Sequence, residues 1–301
     1  MSLQQKLESI VDGASGFFGV SVKHLQTGEE AKINSDALFQ LASCYKVPVL
    51  VTLFRDVEAG KLRLDTRIRL KREDRRSAAG VLVTLDPGVE VSIKDLAMLM
   101  IIVSDNVGTD KVIELVGGIE NVEKCMKELG LANTHIHHTS KDAIIRSLGM
   151  NPEEMTDEDF QELLDRMTHE QFRKMPSEHY DVFAPVPENN VSTPTEMMWI
   201  MERIARKELI SESASHGMLH ILESQKQRNL IPYLLPNQAR VASKGGSVGD
   251  VRNDVGIVYP PNEEDAFAIA VLSRENDSIA EADQTIARIA KAAYDHFVGE
   301  E

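Results

Sequence analysis

The sequence is poor in cysteine and in aromatic residues. Cys44 and Cys125 are the only cysteines among 301 residues, and aromatic side chains make up 5% of the chain. Two cysteines can form at most one disulfide, and a chain of this length can bury enough apolar surface to be stable without it. We therefore expect both cysteines to be reduced, and we exclude the class of small, disulfide-stabilised proteins.

Positive charge is also scarce. The chain has 33 lysines and arginines against 48 aspartates and glutamates, which gives a formal net charge of -15. Nucleic acids and anionic membranes are bound by positive surfaces, so the composition argues against a nucleic-acid partner. The one basic run, residues 71–76, is interrupted by Glu73 and Asp74, and we interpret it as a solvated helix end or loop.

Long apolar runs are missing as well. No stretch approaches the roughly 20 apolar residues needed to cross a bilayer, so we expect no membrane span. The first residues lack a charged region followed by an apolar one, which would mark a secretory signal. As the sequence stands we expect a cytoplasmic protein, or a secreted or periplasmic one if a leader is removed. We expect a small-molecule substrate and a monomer or weak dimer.

Hydrophobic spacing predicts strands at both ends of the chain and helices between them. Alternating segments at 18–25 and 30–33 indicate a hairpin, and further strands are predicted at 239–243, 255–259 and 266–272. Helical spacing dominates the middle, beginning with residues 43–58. The simplest packing is one antiparallel sheet with flanking helices, built from residues 1–45 and 195–301. Residues 46–194 would form an all-helical lobe with an insertion at about 137–191, and the site would lie in the cleft between the lobes.

The chain contains a single Ser-x-x-Lys, at Ser43-Cys44-Tyr45-Lys46. A serine hydroxyl is a weak nucleophile until another group accepts its proton. On a helix, a lysine three residues further on projects from the same face and can accept this proton. The same four residues would also suit a solvated helix start, so the motif alone does not decide its role.

Two further motifs follow in the chain. Ser104-Asp105-Asn106 lies between an apolar segment and a helix, and we expect a loop that offers a second hydroxyl and an amide; a helix cap is the alternative. Lys244-Gly245-Gly246 is predicted to end or interrupt a strand, which would place a cation beside backbone that a substrate can approach. The alternative for Lys244-Gly245-Gly246 is a β-bulge or turn.

Taken together, the three motifs resemble those of the class A β-lactamase family and the wider penicillin-binding serine hydrolases, namely Ser-x-x-Lys, Ser-Asp-Asn and Lys-Thr-Gly. The resemblance covers roughly residues 15–136 and 192–297. It implies an α/β (α+β) fold of the β-lactamase and transpeptidase type, with an antiparallel sheet flanked by helices plus an all-helical lobe. It implies no metal or organic cofactor.

The resemblance also implies roles for individual residues. Ser43 would attack a carbonyl and become acylated, while Lys46 and Ser104 move its proton. The backbone N–H groups of Ser43 and Ser247 would form the oxyanion hole. The residues implied in substrate binding are Asn106, Lys244, Gly246, Ser247 and Arg252.

The sequence departs from the family pattern at two places. Gly245 stands where the family has threonine or serine, so a hydroxyl that would bind a substrate carboxylate is absent. The Glu-x-x-Leu-Asn motif, whose glutamate activates the deacylating water, is also absent. Counting back from Thr193-Pro194, we expect Glu178 to be the deacylating carboxylate, with Glu188 as the second choice. The insertion would be either a lid or a surface segment without catalytic effect.

Several functions remain open at this point. The first is hydrolysis of a β-lactam or related cyclic amide through acylation of Ser43. The alternatives are an esterase or a DD-peptidase-like, penicillin-binding enzyme with slow deacylation, and a ligand-sensing module that does not turn over. Two groups of histidines are interpreted as solvated or capping residues rather than metal ligands, since no carboxylate or cysteine signature accompanies them: His135, His137, His138, and the pair His216 and His220.

Overall fold

The computed structural model describes residues 1–74, 80–166 and 181–299, without the side chains of residues 164, 165 and 181. The chain divides into two compact units. The first, the sheet unit, comprises Met1–Tyr45, Pro185–Pro187 and Val191–Glu301, and the second, the helical unit, comprises Lys46–Ala184 and Glu188–Asn190. Residues 191–194 thus lie in the sheet unit, whereas the predicted lobe resumed at residue 195.

The described strands and helices are numbered here in chain order. The strands are β1 (Phe17–His24), β2 (Glu30–Ile33), β3 (Phe39–Gln40), β4 (Arg67–Arg69), β5 (Glu90–Ser92), β6 (Val191–Ser192), β7 (Arg240–Val248), β8 (Val251–Tyr259) and β9 (Phe267–Arg274). The helices are α1 (Leu3–Asp12), α2 (Lys46–Glu58), α3 (Ile93–Ile102), α4 (Asn106–Leu115), α5 (Ile119–Glu128), α6 (Ser140–Ser147), α7 (Asp157–Arg166), α8 (Pro194–Ala205), α9 (Glu212–Glu223) and α10 (Ile279–Phe297).

The sheet unit is built on a five-stranded antiparallel sheet with the strand order β2-β1-β9-β8-β7. Helices α1 and α10 pack on one face, where alternate residues of β1 and β9 join their apolar side chains in one core. Phe18, Val20, Ile269 and Ile286 belong to this core and are fully buried. Each such side chain contributes about 1.5–3 kcal/mol of burial free energy.

The opposite face of the sheet is covered by α8 and α9, so β1 and β9 are buried on both sides. A glycine permits this packing at Gly19, where an added Cβ would lie 2.4 Å from the ring of Phe39 and 2.7 Å from Pro194. Phe39 belongs to the short pair β3–β6, in which it lies opposite Ser192. The first residues of α8 can therefore approach the sheet closely.

The helical unit surrounds α2, which packs against α3, α4 and α5. Residues 46–54 of α2 are all buried, which is the pattern of a central helix rather than a surface one. Two helices of this unit begin at well-formed caps. Ser92 and Asp95 form a reciprocal capping box at α3, and Thr139 and Asp142 do the same at α6.

Most predicted elements are present, with small shifts at their ends. The strand β2, at residues 30–33, and the last helix, α10, have the bounds that the sequence predicts. One prediction is wrong, because Lys244-Gly245-Gly246 neither ends nor interrupts a strand. The strand β7 continues through them in unbroken register with β8. In the described part of the chain, no helix is both long enough and apolar enough to cross a membrane.

Candidate active site

Ser43 lies in a short 3₁₀ turn, Ala42–Tyr45, that leads directly into α2. The turn is entered through Ala42, whose φ of 44° is unusual for a residue with a side chain. The side-chain oxygen of Gln40 accepts the N–H of Ala42 at 2.5 Å, and the N–H of Cys44 donates to Leu41 at 3.0 Å. The predicted helix start is therefore a tighter turn that holds Ser43 at a defined position.

The backbone around Ser43 lies against Gly246 of β7. A Cβ at Gly246 would be 2.9 Å from the backbone nitrogens of Ser43 and Cys44 and 2.7 Å from the oxygen of Leu41. These atoms are backbone, which cannot move aside as the end of a side chain can. Residue 246 must therefore be glycine for the turn and the strand to pack as they do. Ser247, the next residue, is exposed.

Lys244 is fully buried in β7, close to a carboxylate and a thiol. Its Nζ donates to the backbone oxygen of Gly245 at 2.5 Å, and the thiol of Cys44 donates to the backbone oxygen of Lys244 at 3.1 Å. Burial lowers the pKa of Lys244, and the nearby Cys44 and Asp254 oppose this effect. Burial also raises the pKa of the Cys44 thiol, so Cys44 is a packing residue rather than a thiolate nucleophile.

The space next to Gly245, where a side chain would lie, is already occupied by another residue. A Cβ there would lie 3.0 Å from the side chain of Leu230, which is buried. A serine or threonine at this position would have to push Leu230 away. The glycine that departs from the Lys-Thr-Gly pattern therefore fits the packing of Leu230. Nothing in the sequence around Leu230 indicated this contact.

Arg252 is engaged by a residue outside the predicted site. It lies on β8 opposite Ser247, and its guanidinium forms an ion pair with Asp283 of α10 at 3.0 Å. The side chain is largely buried, with 21% exposed. A substrate carboxylate that used Arg252 would have to compete with Asp283 for this charge.

In the helical unit, Lys46 joins the first two motifs. The side chain is fully buried, and its Nζ donates to the side-chain oxygen of Asn106 at 2.7 Å. It also donates to both oxygens of Ser104, at 2.7 Å for the backbone oxygen and 3.1 Å for the hydroxyl. Ser104 and Asn106 lie 58 and 60 positions after Lys46 in the chain, and both contact its ammonium group.

Ser104-Asp105-Asn106 forms the link between α3 and α4. Ser104 has a φ of 57°, and Asp105 is the N-cap of α4, so the loop and cap interpretations both apply. The fully buried carboxylate of Asp105 accepts backbone N–H groups of Val81, Leu82 and Gly108. This carboxylate fixes the turn, and the turn in turn presents the Ser104 hydroxyl and the Asn106 amide to Lys46.

Asp110, one turn into α4, is a buried carboxylate to which the sequence reasoning assigned no role. It is buried, and its two oxygens accept the backbone N–H groups of Ser140 and Lys141 at 2.7 and 2.9 Å. Burial raises the pKa of Asp110 to about 6, although those hydrogen bonds and the charge of Lys46 act against this rise. Asp110 therefore ties the start of α6 to the helix that carries Asn106.

Asn253 of β8 was also missed, although it secures the approach to Ser43. Its side-chain nitrogen donates to the backbone oxygen of Gln40 at 2.8 Å, and its side-chain oxygen accepts the N–H of Ser273 at 2.9 Å. An asparagine in a buried strand is unusual, since its amide must find partners there. That was the available signal in the sequence.

Of the two carboxylates proposed for deacylation, Glu178 lies outside the described residues. Glu188 is described and exposed. It lies next to Asn189 and Asn190, both of which are buried. Asn190 holds the preceding segment by accepting the backbone N–H groups of His137 and His138.

The sheet unit thus holds Ser43 in a tight turn beside a strand, and the helical unit holds the buried Lys46, hydrogen-bonded to a serine hydroxyl and an amide. The sequence model of the beta-lactamase enzyme family matches residues 2–297. The chain belongs to that family, and it is a serine hydrolase of the β-lactamase type. The resemblance stated from the three motifs is thereby confirmed.

Individual relatives are distant but cover nearly the whole chain. The chain is 21% identical to Beta-lactamase VEB-1 of Pseudomonas aeruginosa over 308 residues, which span 99% of this chain and 91% of that protein. It is similar in fold to a beta-lactamase from Sphaerobacter thermophilus, with a TM-score of 0.78, 24% identity, and coverage of 99% and 98% of the two chains. A mutant of PBP-A, solved as its acyl-enzyme complex with penicillin G, has a TM-score of 0.78, 23% identity, and coverage of 99% and 97%.

Proposed function

We propose that the chain is a hydrolase of the class A type, in which a β-lactam or a related cyclic amide acylates Ser43 and water then releases the product. The observation that carries the proposal is the set of hydrogen bonds from Lys46 Nζ to the Ser104 hydroxyl and the Asn106 amide. Nothing in helix formation requires a buried lysine with these partners. Burial of an ammonium group costs free energy, and function is the usual reason for tolerating that cost.

Acylation needs a proton to leave one atom and reach another. The Ser43 oxygen forms a bond to the carbonyl carbon as its proton passes to Lys46 in the neutral form. The carbon–nitrogen bond of the amide then breaks, and the proton is delivered to the departing nitrogen. The Ser104 hydroxyl, hydrogen-bonded to Lys46, is the group that relays it.

The carbonyl oxygen becomes negative in the tetrahedral intermediate. We assign its stabilisation to the backbone N–H groups of Ser43 and Ser247. The close approach of the Ser43 nitrogen to residue 246 supports this assignment, because Ser247 is the next residue along β7. Donors directed at developing charge are usually the largest single contribution to catalysis.

Substrate binding is assigned to Asn106, Lys244, Gly246, Ser247 and Arg252. Two observations favour weaker recognition of a substrate carboxylate than a threonine-containing motif would provide. Gly245 supplies no hydroxyl, and Arg252 is already paired with Asp283. We therefore expect a higher KM for carboxylate-bearing β-lactams than an enzyme with threonine or serine at this position would have.

Deacylation separates the proposed function from its main alternative. Glu178 remains our proposal for the residue that activates water, with Glu188 as the second choice. If neither acts, the acyl-enzyme accumulates and the chain is a penicillin-binding enzyme of the DD-peptidase type. The missing Glu-x-x-Leu-Asn motif and the similarity to a mutant of PBP-A that was solved as its acyl-enzyme complex favour this alternative as the second candidate.

The test is hydrolysis of a chromogenic cephalosporin by the purified chain, with the intact protein weighed by mass spectrometry in parallel. Ser43→Ala should abolish both turnover and the covalent adduct. Ser9→Ala, a serine exposed on α1, is the matched control and should behave as the wild type does.

The outcomes distinguish the candidates. Rapid turnover that is lost in Ser43→Ala supports β-lactam hydrolysis, and Glu178→Gln and Glu188→Gln then identify the deacylating base. A stable adduct on Ser43 without turnover supports the penicillin-binding alternative. Turnover that survives Ser43→Ala would contradict the proposal, and an absence of any reaction would direct the search to ester and peptide substrates.

A further inference from the structure

Two of the histidines interpreted from the sequence as solvated or capping residues lie beside a buried carboxylate. His135 Nδ1 is 3.4 Å from Glu123 Oε1, and His137 Nε2 is 4.0 Å from the same oxygen. One ligand atom from each of the three residues lies within 4.8 Å of the others. The carboxylate whose absence argued against a metal site is therefore supplied by α5, a helix that precedes the histidines in the chain.

The local structure directs both imidazoles to one side. His135 and His137 are separated by Ile136, which is fully buried, so the alternation of an extended segment places the two histidines together on the opposite face. Their rings are stacked, with centroids 5.9 Å apart and planes 15° apart. The backbone of this segment is held from the other end by Asn190, which accepts the N–H of His137 at 2.8 Å.

Glu123 is held in place by a hydrogen bond from the backbone. The N–H of Ile136 donates to Oε2 at 2.7 Å, which leaves Oε1 facing the two rings. A second group that fixes a ligand's orientation is a regular feature of metal sites in proteins.

We propose that Glu123, His135 and His137 form a binding site for a divalent zinc ion. Two imidazole nitrogens and one carboxylate oxygen are a ligand set that zinc adopts, with a water molecule in the fourth position. Ligand atoms around a tetrahedral zinc ion are about 3.3 Å apart, given bond lengths of about 2.0–2.2 Å. The distance from His135 to Glu123 already has this value, and a small rotation of His137, whose side chain is 38% exposed, closes the other.

One cation already competes for the carboxylate. Lys127 Nζ lies 3.2 Å from Glu123 Oε1, and 63% of its side chain is exposed. A zinc ion would displace this flexible ammonium group into water at little cost. The bound ion would join α5 to the segment that contains both histidines, and it would leave the residues of the hydrolase site unchanged.

The test is titration of the full chain with zinc chloride by isothermal calorimetry, with a thermal unfolding measurement in the presence and absence of zinc. We expect a one-to-one complex and a higher unfolding temperature with zinc. Replacement of both ligands, His135→Ala with His137→Ala, should weaken binding by about tenfold or more, because even the loss of a group that only orients a ligand costs about that much.

Three further variants make the result specific. The matched control is His216→Ala with His220→Ala, which removes two exposed histidines on α9 and should leave the affinity unchanged. Lys127→Gln should tighten zinc binding, because the competing charge is removed. Glu123→Gln should weaken binding.

Should zinc bind equally well to the His135→Ala, His137→Ala chain, or fail to bind the wild type at all, the proposal would be overturned. Loss of binding in the His216→Ala, His220→Ala control would also overturn it, because the ion would then belong to α9.

Discussion

The residues packed against Ser43, the proposed nucleophile, show how one turn is fixed by neighbouring side chains and by the absence of a side chain at residue 246. Ser43 is held by its turn, and the turn can pack against β7 only because residue 246 has no side chain. Lys46 and Asn106 are joined by a hydrogen bond of 2.7 Å. At this scale the chemistry depends on positions accurate to a fraction of an ångström, since a misplacement of about 1 Å can cost about 100-fold in rate.

The substitution Gly246→Ala tests the close approach directly. The added Cβ would lie 2.7–2.9 Å from the backbone of residues 41, 43 and 44, so the turn must shift. We expect the rate of Ser43 acylation to fall about 100-fold or more while the chain still folds. Stopped-flow acylation by a chromogenic cephalosporin measures the effect. Gly13→Ala, where the nearest atom is 3.5 Å away, is the control and should have no effect. Normal acylation by Gly246→Ala would contradict the proposed packing constraint.

Asp110 makes the stability of the protein depend on pH in a characteristic direction. Its pKa is about 6 in the folded protein, whereas an ordinary aspartate, such as that of the unfolded chain, has a pKa of 3.8. Between about pH 4 and pH 6 the unfolded chain loses this proton and the folded protein keeps it. The free energy of unfolding therefore falls as the pH rises through this window, by about 3 kcal/mol at most from this residue.

The variant Asp110→Asn cannot titrate and should lack this component. Urea unfolding of both proteins at several pH values between about 4 and 7 measures the difference in their free energies of unfolding. We expect the wild type to lose stability relative to the variant as the pH rises. The other titrating groups, including Asp254, are present in both proteins and cancel in the difference. Parallel pH profiles would show that Asp110 has an ordinary pKa.

At the scale of helices and strands, local sequence patterns are sufficient where the residues that cap a helix lie next to it in the chain. Thr193-Pro194-Thr195-Glu196 has the residues typical of a helix start, and Thr193 is the N-cap of α8 with proline in its first position. Local signals failed where pairing with another strand decides the outcome. Glycines at 245 and 246 indicated a break, but the ladder with β8 carries the strand through them. A side chain at 245 would press on Leu230, and one at 246 would meet the backbone of residues 41–44.

The junction between β8 and the nucleophile segment provides a test at this scale. Asn253→Ala removes a buried amide that bonds Gln40 and Ser273, and it leaves two backbone groups without that partner. We expect a loss of about 1–3 kcal/mol in the free energy of unfolding, measured with urea, and slower acylation of Ser43. Asn229→Ala, which removes an exposed hydrogen bond to Asp283, should cost less than about 0.5 kcal/mol. Equal stability of the two variants would show that the hydrogen bonds of Asn253 to Gln40 and Ser273 do not stabilise the fold.

At the scale of the whole molecule, the dominant property is the net charge of -15. Like charges spread over one folded chain repel, and this repulsion destabilises the compact state. Many local ion pairs, such as Arg203 with Glu208 and Lys207 with Glu212, offset only part of it because exposed pairs contribute little. Salt should therefore stabilise the protein, in contrast to a chain whose ion pairs dominate.

We expect the unfolding temperature to rise when the ionic strength increases from about 0.01 M to about 0.15 M, where the screening length falls from about 30 Å to about 8 Å. Differential scanning calorimetry at neutral pH measures this change. Sodium chloride and potassium chloride should act alike, since the effect is screening rather than specific binding. A falling unfolding temperature would mean that attractive pairs outweigh the net repulsion.

The sequence by itself indicated the candidate catalytic residues and determined most of the helices and strands. A serine and a lysine three residues apart, an apolar stripe along 43–58 and the cap of α8 are local patterns, and local patterns survive without knowledge of the fold. The three motifs in order were enough to indicate the fold and the family. They could not indicate that Leu230 occupies the space beside Gly245, or that Asp283 engages Arg252.

Only the tertiary structure brought together the residues that are distant in the chain. Lys46 meets Ser104 and Asn106, Asp110 meets the start of α6, and Glu123 meets His135 and His137 through contacts that no spacing rule predicts. The physical reason is that each buried polar group must find a partner wherever the packed chain happens to offer one. Such pairings are fixed by the packing of whole elements, and they bring scattered polar residues together in the proposed hydrolase site and the proposed zinc site.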